Sequence, residues 1–252
     1  PVSALLHAVA VVKGGVFALM RVVYWCFGAE FLIGTKVQAA VLCVCCAAIL
    51  YGSLRALCTQ HLKRRLAYST VSQLSYILMG VMLMTPAGLA AGLTHMVCHA
   101  LMKITLFFCA GAILYKGGRE YVYELRGVGR AMPVTMTCFT LAGLGLVGVP
   151  LFAGFVSKFM LGSAAAEAGG LGMLGVVSLI ISAFFTLFYM VLIIGAAWFP
   201  AEGREDPHWN TQCDPNWNMK LPLIAITAMS MVLGLWSGPL IQVFNRIAAG
   251  GL

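Results

Sequence analysis

Charged residues are scarce in this sequence. Only 10% of its 252 residues are Asp, Glu, Lys or Arg, and only eight are acidic. About a quarter of the residues in soluble domains are charged, so this composition argues against a soluble protein. Runs of about 20 apolar residues recur along the chain, the length that crosses a bilayer as an α-helix. The sequence therefore predicts an all-α, polytopic transmembrane helical bundle embedded in a lipid bilayer.

Several other patterns are missing. The nine cysteines form no CxxC pair and most lie in apolar runs, which argues against a disulfide framework or an iron–sulfur site. No flavin, nucleotide or haem motif is present, so we expect no cofactor, no catalytic residue and no redox chemistry. The net charge of +8 comes from basic residues between the apolar runs, which is typical of cytoplasmic loops and does not predict nucleic-acid binding. No secretory signal pattern precedes the first run, and we expect the chain to be part of a longer protein.

Seven apolar runs predict seven spans in a single transmembrane domain over residues 1–252. The runs are 1–24, 37–57, 66–84, 87–115, 133–165, 171–199 and 221–243. The fifth run contains Pro150 and several glycines, which predicts a broken helix with its interruption between residues 149 and 154. Broken helices are tolerated at membrane depth only where the freed backbone groups are buried or line a cavity.

The charges between the runs predict an orientation. Basic residues on one side are Arg55, Lys63, Arg64, Arg65, Lys116, Arg119, Arg126, Arg130, Arg204 and Lys220. Those on the other side are Arg21, Lys36 and Arg246. The positive-inside rule makes the first side cytoplasmic, and residues 200–220 form a cytoplasmic loop long enough to fold on itself.

A few ionisable residues lie inside the predicted spans. These candidates are His7, Lys13, His95, His99, Lys103 and Lys158. His95, His99 and Lys103 follow one another in steps of four, so a helix turns all three toward one side. Because a charge at the bilayer centre costs about 2.5–3.5 kcal/mol, this stripe must face water, a partner or a proton path.

Structural explanations remain open for these residues. A lysine near a span end, such as Lys158, commonly snorkels to the surface, and a lone histidine such as His7 can serve packing. His95 and His99 could ligate a metal with Cys98, but no carboxylate is near them, so we expect no metal site. The third span begins with polar residues that could either line a hydrated path or bond neighbouring helices. They are Ser69, Thr70, Ser72, Gln73, Ser75 and Tyr76.

Four segments resemble one protein family. They are Pro1-Val-Ser-Ala-Leu-Leu-His-Ala, Leu62-Lys-Arg-Arg-Leu-Ala-Tyr-Ser-Thr-Val-Ser-Gln-Leu-Ser-Tyr, His95-Met-Val-Cys-His-Ala-Leu-Met-Lys and Gly154-Phe-Val-Ser-Lys. In this order they are similar to the antiporter-like subunits of respiratory complex I. The same fold occurs in Mrp-type cation/proton antiporters and membrane-bound hydrogenases. The lysine at position 158, in its Gly-Phe-Val-Ser-Lys context, resembles the MrpD type of antiporter protein more than one particular complex I component.

The resemblance implies which part of the family's fold is present. Family members have fourteen helices that contain two inverted five-helix repeats, each with a broken helix. This chain resembles helices eight to fourteen, so the first repeat, with its glutamate–lysine pair, is missing. We therefore expect either a fragment or a partner chain that supplies the other half.

The resemblance also implies a role for each candidate. Lys13 matches the bridging lysine of the family's helix eight. His95, His99 and Lys103 match the central relay of helix eleven. Lys158 matches the terminal lysine of broken helix twelve, which leads toward the outer exit.

We expect an ion-translocating membrane subunit in a bacterial or archaeal plasma membrane. Protons, alone or in exchange for Na⁺, would move along the lysines, with His7, His95, His99 and water between them. The driving force would come from other membrane subunits. In complex I the assembly would be an NADH:quinone oxidoreductase, and this chain a non-redox part of it. The alternatives are a secondary transporter that cups a small anionic solute at the broken helix, and a scaffold subunit, which would leave the buried lysines unexplained.

Overall fold

A computed structural model describes residues 10–200, 209 and 213–250. In this part of the chain the structure forms eleven α-helices: α1 (Val11–Arg21), α2 (Ala29–Leu32), α3 (Lys36–Cys58), α4 (Leu62–Met82), α5 (Pro86–Gly117), α6 (Val128–Ala131), α7 (Pro133–Val147), α8 (Ala153–Ala168), α9 (Gly172–Trp198), α10 (Trp217–Leu235) and α11 (Gly238–Gly250). A π-helical turn (Val22–Phe27) continues α1, and a 3₁₀ turn (Val122–Leu125) precedes α6. The prediction of an all-α bundle is confirmed.

Four of the described helices are long and apolar enough to cross a bilayer, namely α3, α5, α9 and α10. Helix α7 is apolar but shorter. Helix α4 has 21 residues, but its first turn carries Lys63, Arg64 and Arg65, which lower its mean hydropathy. The total of seven spans therefore stays a prediction.

The predicted seventh span, residues 221–243, is wrong at its C-terminal end. Helix α10 stops at Leu235, and Trp236 leaves the helical region with φ −131° and ψ 63°. A separate helix, α11, starts at Gly238. Pro239 explains the break, because it has no N–H to donate to the carbonyl of Leu235, as a continuous helix would require, and it suits the first turn of a new helix.

The predicted interruption of the fifth span is observed between α7 and α8. Gly148 ends α7 in the left-handed region (φ 94°), and its N–H donates to the carbonyls of Leu144 and Gly145. Leu151 also has a positive φ of 77°. Helix α8 then passes so close to α7 that a Cβ on Gly154 would overlap the carbonyl oxygen of Gly145. Glycine at position 154 therefore permits the two half-helices to touch.

We expect Gly154→Ala to destabilise the protein by about 3 kcal/mol, because a backbone oxygen cannot move aside for the new methyl group. Gly162, on the same helix, is the matched control, since a Cβ there would meet nothing within 4 Å. Gly162→Ala should be neutral or stabilise by about 0.5–1 kcal/mol. The thermal unfolding midpoint of the purified complex measures both effects. Equal midpoints for the two variants would contradict this account of the interruption.

Helix α5 forms the centre of the bundle. It packs against α4, α7, α8, α10 and α11. Its ends are well defined, because the Thr85 side chain accepts from the N–H of Gly88 at the start and Gly118 adopts a left-handed conformation at the end. Polar residues midway along α5 are consequently enclosed by other helices.

Candidate functional site

The stripe His95, His99 and Lys103 lies inside the bundle, with each residue 0% exposed. The two imidazole rings stack, with centroids 5.8 Å apart and planes 10° apart. The His95 ring is fixed from both sides. Its Nδ1 is 2.9 Å from the hydroxyl of Ser157 on α8, and its Nε2 is 3.1 Å from the side-chain oxygen of Gln73 on α4. His95 therefore joins three helices through hydrogen bonds that a neutral imidazole can make as one donor and one acceptor.

His99 differs from His95 in its hydrogen bonding. Both of its ring nitrogens are buried, and neither has a hydrogen-bond partner among the described residues. Buried polar atoms are normally bonded to protein or to ordered water, so such a ring can exchange hydrogen bonds with a mobile molecule. Since His99 lies one turn from both His95 and Lys103, it is the part of the stripe best suited to contact water.

Lys103 is held by neutral acceptors. Its Nζ donates to the carbonyl of Leu66, at 2.8 Å, and to the hydroxyl of Ser69, both on α4. No carboxylate of the described part of the chain lies within ion-pair distance of it. A lysine in this setting can exist with or without its proton, because no fixed negative charge holds the ammonium form.

Lys158 lies beside the interruption of the broken helix, where the sequence predicted it. Its Nζ donates to the last carbonyls of α7, those of Leu146 at 2.7 Å and Val147 at 3.0 Å. The side chain is only 6% exposed, so it does not snorkel to the surface. Its Nζ also lies 5.7 Å from the ring centroid of Tyr76, within the range of a cation–π contact. The interruption thus supplies the carbonyl acceptors for this lysine.

Tyr76 lies between the central stripe and Lys158. Its ring meets that of His95 edge-on, with centroids 5.7 Å apart. Its hydroxyl donates to Ser182 on α9 at 2.7 Å. Ser182 in turn bonds Ser53 of α3 and Ser72 of α4. This hydroxyl cluster fixes the orientation of the Tyr76 ring.

Lys13 faces the interior from α1, where it is 7% exposed and shares its face with Val16 and Met20. His7, the remaining candidate, lies outside the described residues. The structure therefore gathers Lys103, His99 and His95 on one continuous face and places Lys158 next to it.

Sequence reasoning left two explanations open for the polar start of the third span. In the structure Ser69 bonds Lys103 and Gln73 bonds His95, so both residues join helices at the stripe itself. Ser157 and Ser182 were not among the candidates. The only available signal for Ser157 was its position next to Lys158, and Ser182 is a lone hydroxyl in an apolar run with no signal of its own.

Arg65, which we assigned to a loop, lies inside the bundle. We predicted it in a cytoplasmic loop, but α4 begins at Leu62, before the predicted start at residue 66, and Arg65 is only 2% exposed. Its Nε donates to the carbonyl of Thr59 at 2.7 Å, and one terminal nitrogen donates to that of Leu57 at 3.3 Å. The short connection from α3 explains this, since it brings the free carbonyls at the end of α3 beside the first turn of α4.

Comparison with known proteins gives consistent matches. Residues 1–192 match the family model described as NADH:quinone oxidoreductase/Mrp antiporter, TM. NADH-quinone oxidoreductase subunit L of Mycobacterium tuberculosis is 36% identical over 202 residues, which are 79% of this chain and 31% of that protein. A probable K(+)/H(+) antiporter component (A/B) of Rhizobium meliloti is 33% identical over 242 residues, which are 93% of this chain and 23% of that protein.

A solved structure has the same fold. A chain of the membrane-bound sulfane sulfur reductase, an archaeal respiratory membrane complex, superposes with a TM-score of 0.85 at 25% identity. The match covers 99% of this chain and 49% of that chain. The present chain thus spans about half or less of the length of these relatives.

Proposed function

Because the chain belongs to the NADH:quinone oxidoreductase/Mrp antiporter transmembrane family, we propose that it is a proton-translocating membrane subunit of a respiratory or antiporter complex. The observation that supports this most strongly is the interior position of Lys103 and Lys158, each of which donates only to neutral acceptors among the described residues. Buried ionisable groups inside a transmembrane bundle are costly and serve ion pathways by default. A scaffold would be more stable without them.

Each residue has a distinct part in the proposed path. Lys13 delivers protons to the stripe from α1, and Lys103 holds a proton on the acceptors of α4. His99 accepts and passes protons through its ring nitrogens, with water as the carrier. His95 carries them on between α4 and α8, and Lys158 takes them up at the end of α7. Neighbouring positive charges repel one another, so a proton arriving at one group favours release from the next.

The chemistry of these groups favours H⁺ over Na⁺. Hard metal cations are held by several oxygen ligands, usually including carboxylates. The groups of the proposed path are ammonium and imidazole groups, and no carboxylate of the described residues lies within ion-pair distance of His95, His99, Lys103 or Lys158. Nitrogen bases of this kind carry protons, and any exchange of Na⁺ or K⁺ would take place elsewhere in the assembly.

The names of the relatives indicate the setting. One relative is named for an NADH-quinone oxidoreductase, another for a K(+)/H(+) antiporter, and the solved relative for an archaeal respiratory membrane complex. We propose an integral plasma-membrane protein that assembles with other membrane subunits. The family's first repeat would be supplied by a longer form of this chain or by a partner. Redox chemistry, where the complex performs any, would belong to the other subunits.

Lys13→Met tests the proposal, because it removes a buried ammonium group that the path requires. In vesicles that contain the intact complex, a pH-sensitive dye reports proton movement driven by the complex's own substrate or cation gradient. We expect the rate to fall by about two orders of magnitude, the usual contribution of a positioned proton-transfer group. Lys36→Met is the matched control, since Lys36 is exposed at the start of α3.

The control variant should keep the wild-type rate. Full proton transport by Lys13→Met at matched subunit levels would contradict the proposal. Uptake of a small organic anion that both wild type and control perform, and that Lys13→Met loses, would instead indicate the solute transporter.

A further inference from the structure

Arg65 is a buried cation without a negative partner in the part of the chain that the structure describes. It is 2% exposed, and no carboxylate among the described residues lies within ion-pair distance of its guanidinium. Its hydrogen bonds run to two neutral carbonyls, those of Leu57 and Thr59. The other terminal nitrogen is buried and has no hydrogen-bond partner in the described structure. Because no described carboxylate neutralises it, the positive charge of Arg65 raises the electrostatic potential around it.

Those surroundings are one end of the lysine–histidine stripe. Arg65 directly precedes Leu66 and lies one turn before Ser69, the two residues that accept hydrogen bonds from Lys103. The buried hydroxyl of Tyr189 lies beside Ser69 and within electrostatic range of Arg65. Arg65, Tyr189 and Ser69 thus form a polar group next to the Lys103 ammonium.

On its other side Arg65 approaches the surface. His61, one turn earlier at the start of α4, is only partly buried, and its Nε2 lies 3.4 Å from a carboxylate oxygen of Glu120. This end of the bundle carries the connection between α3 and α4. Arg65 is consequently placed between Lys103 and the loop surface around His61 and Glu120.

The position suits a fixed charge. The carbonyls that hold Arg65 belong to the C-terminal end of α3, where the helix dipole is negative and stabilises a cation. A guanidinium stays protonated at any physiological pH, so it cannot pass a proton on. A proton that approached Lys103 from this side would meet a charge of its own sign that never leaves.

We infer that Arg65 is an electrostatic plug that closes the stripe on the α3–α4 loop side and forces protons to reach Lys103 by another route. This inference rests on the proposed function, because it needs a proton-conducting stripe to close. Arg65 itself carries no proton. It prevents passive leakage past Lys103 and so keeps transport coupled.

Arg65→Gln tests this directly. Glutamine keeps a donor for the α3 carbonyls and removes the charge. In proteoliposomes that contain the intact complex without its driving substrate, we expect an imposed pH gradient to decay about tenfold faster than with wild type, because a fixed unit charge near the path no longer repels an approaching proton. Arg64→Gln is the matched control, since Arg64 is the exposed neighbour on the same turn, and it should decay like wild type.

A double variant separates a specific leak from damage to the protein. In Arg65→Gln with Lys103→Met, the leak should return to the wild-type rate. Protons that enter past the uncharged side chain at position 65 then have no Lys103 amine to bind next. A leak that persists in the double variant would show general membrane damage and overturn the inference. Wild-type leakage in assembled Arg65→Gln would overturn it as well.

A second substitution keeps the test decisive if Arg65→Gln does not accumulate. Arg65→Lys retains a cation and a donor, but lysine can release its proton. Its leak should therefore exceed that of wild type, and wild-type leakage in this variant would also overturn the inference. The proposed function is tested separately by driven transport in Lys13→Met, so failure of this inference can be told apart from failure of the proposed function.

Discussion

Lys103→Met is expected to abolish coupled proton transport while the protein still assembles. The ammonium group is fully buried and has no ionic partner among the described residues, so its removal eliminates a desolvation penalty. Its main acceptor stays satisfied, because the carbonyl of Leu66 also receives the hydroxyls of Ser69 and Thr70. Transport should fall by about two orders of magnitude or more, since no other basic side chain of the described residues bonds to Ser69.

Lys103→Arg separates charge from proton release. The guanidinium keeps the positive charge and can donate to Leu66 and Ser69, but it does not release its proton at physiological pH. We therefore expect Lys103→Arg to be nearly as inactive as Lys103→Met. Lys116→Met is the matched control, because Lys116 is exposed at the far end of the same helix, and it should transport at the wild-type rate.

Driven proton transport in vesicles with equal amounts of assembled protein measures all three variants. Full activity of Lys103→Arg would mean that the side chain contributes only a fixed charge, and the path through Lys103 would have to be abandoned. Loss of activity in Lys116→Met would show that the assay responds to any lost surface charge.

The sequence predicted the helical bundle because length and hydropathy alone decide whether a helix can cross a bilayer. It also located the interruption near Pro150, since proline and glycine act on the backbone locally. The spacing of His95, His99 and Lys103 was enough to place them on one helix face. All three predictions depend only on residues close together in the chain.

Contacts between distant residues could not be predicted in this way. That the hydroxyl of Ser157 would meet His95 depends on how α8 returns across α5 after the break, and Gly154 permits that approach only through its missing side chain. Arg65 looked like a loop charge because its neighbours Lys63 and Arg64 are basic. Its burial follows from the end of α3, whose free carbonyls lie within reach of its side chain. Such pairings follow from the packing of whole helices.

Lys158→Met is expected to block transport at the broken helix and also to reduce stability. Lys158 donates to the carbonyls of Leu146 and Val147, which have no following helical turn to bond them. Removing both donors leaves buried acceptors unpaired at a cost of about 1–3 kcal/mol. In contrast to Lys103→Met, this variant should lower the thermal midpoint of the complex as well as its transport rate.

Lys158→Gln distinguishes the two contributions. The glutamine amide can donate to a carbonyl of α7 but has no titratable proton. We expect Lys158→Gln to regain most of the thermal midpoint that Lys158→Met loses. Its transport rate should stay about two orders of magnitude below that of wild type. Glu167→Gln is the control on the same helix, because Glu167 is exposed and should leave both quantities unchanged. If Lys158→Gln restored transport together with stability, Lys158 would be a structural clamp for the interruption, and the proton would have to leave the stripe by a route that does not involve the broken helix.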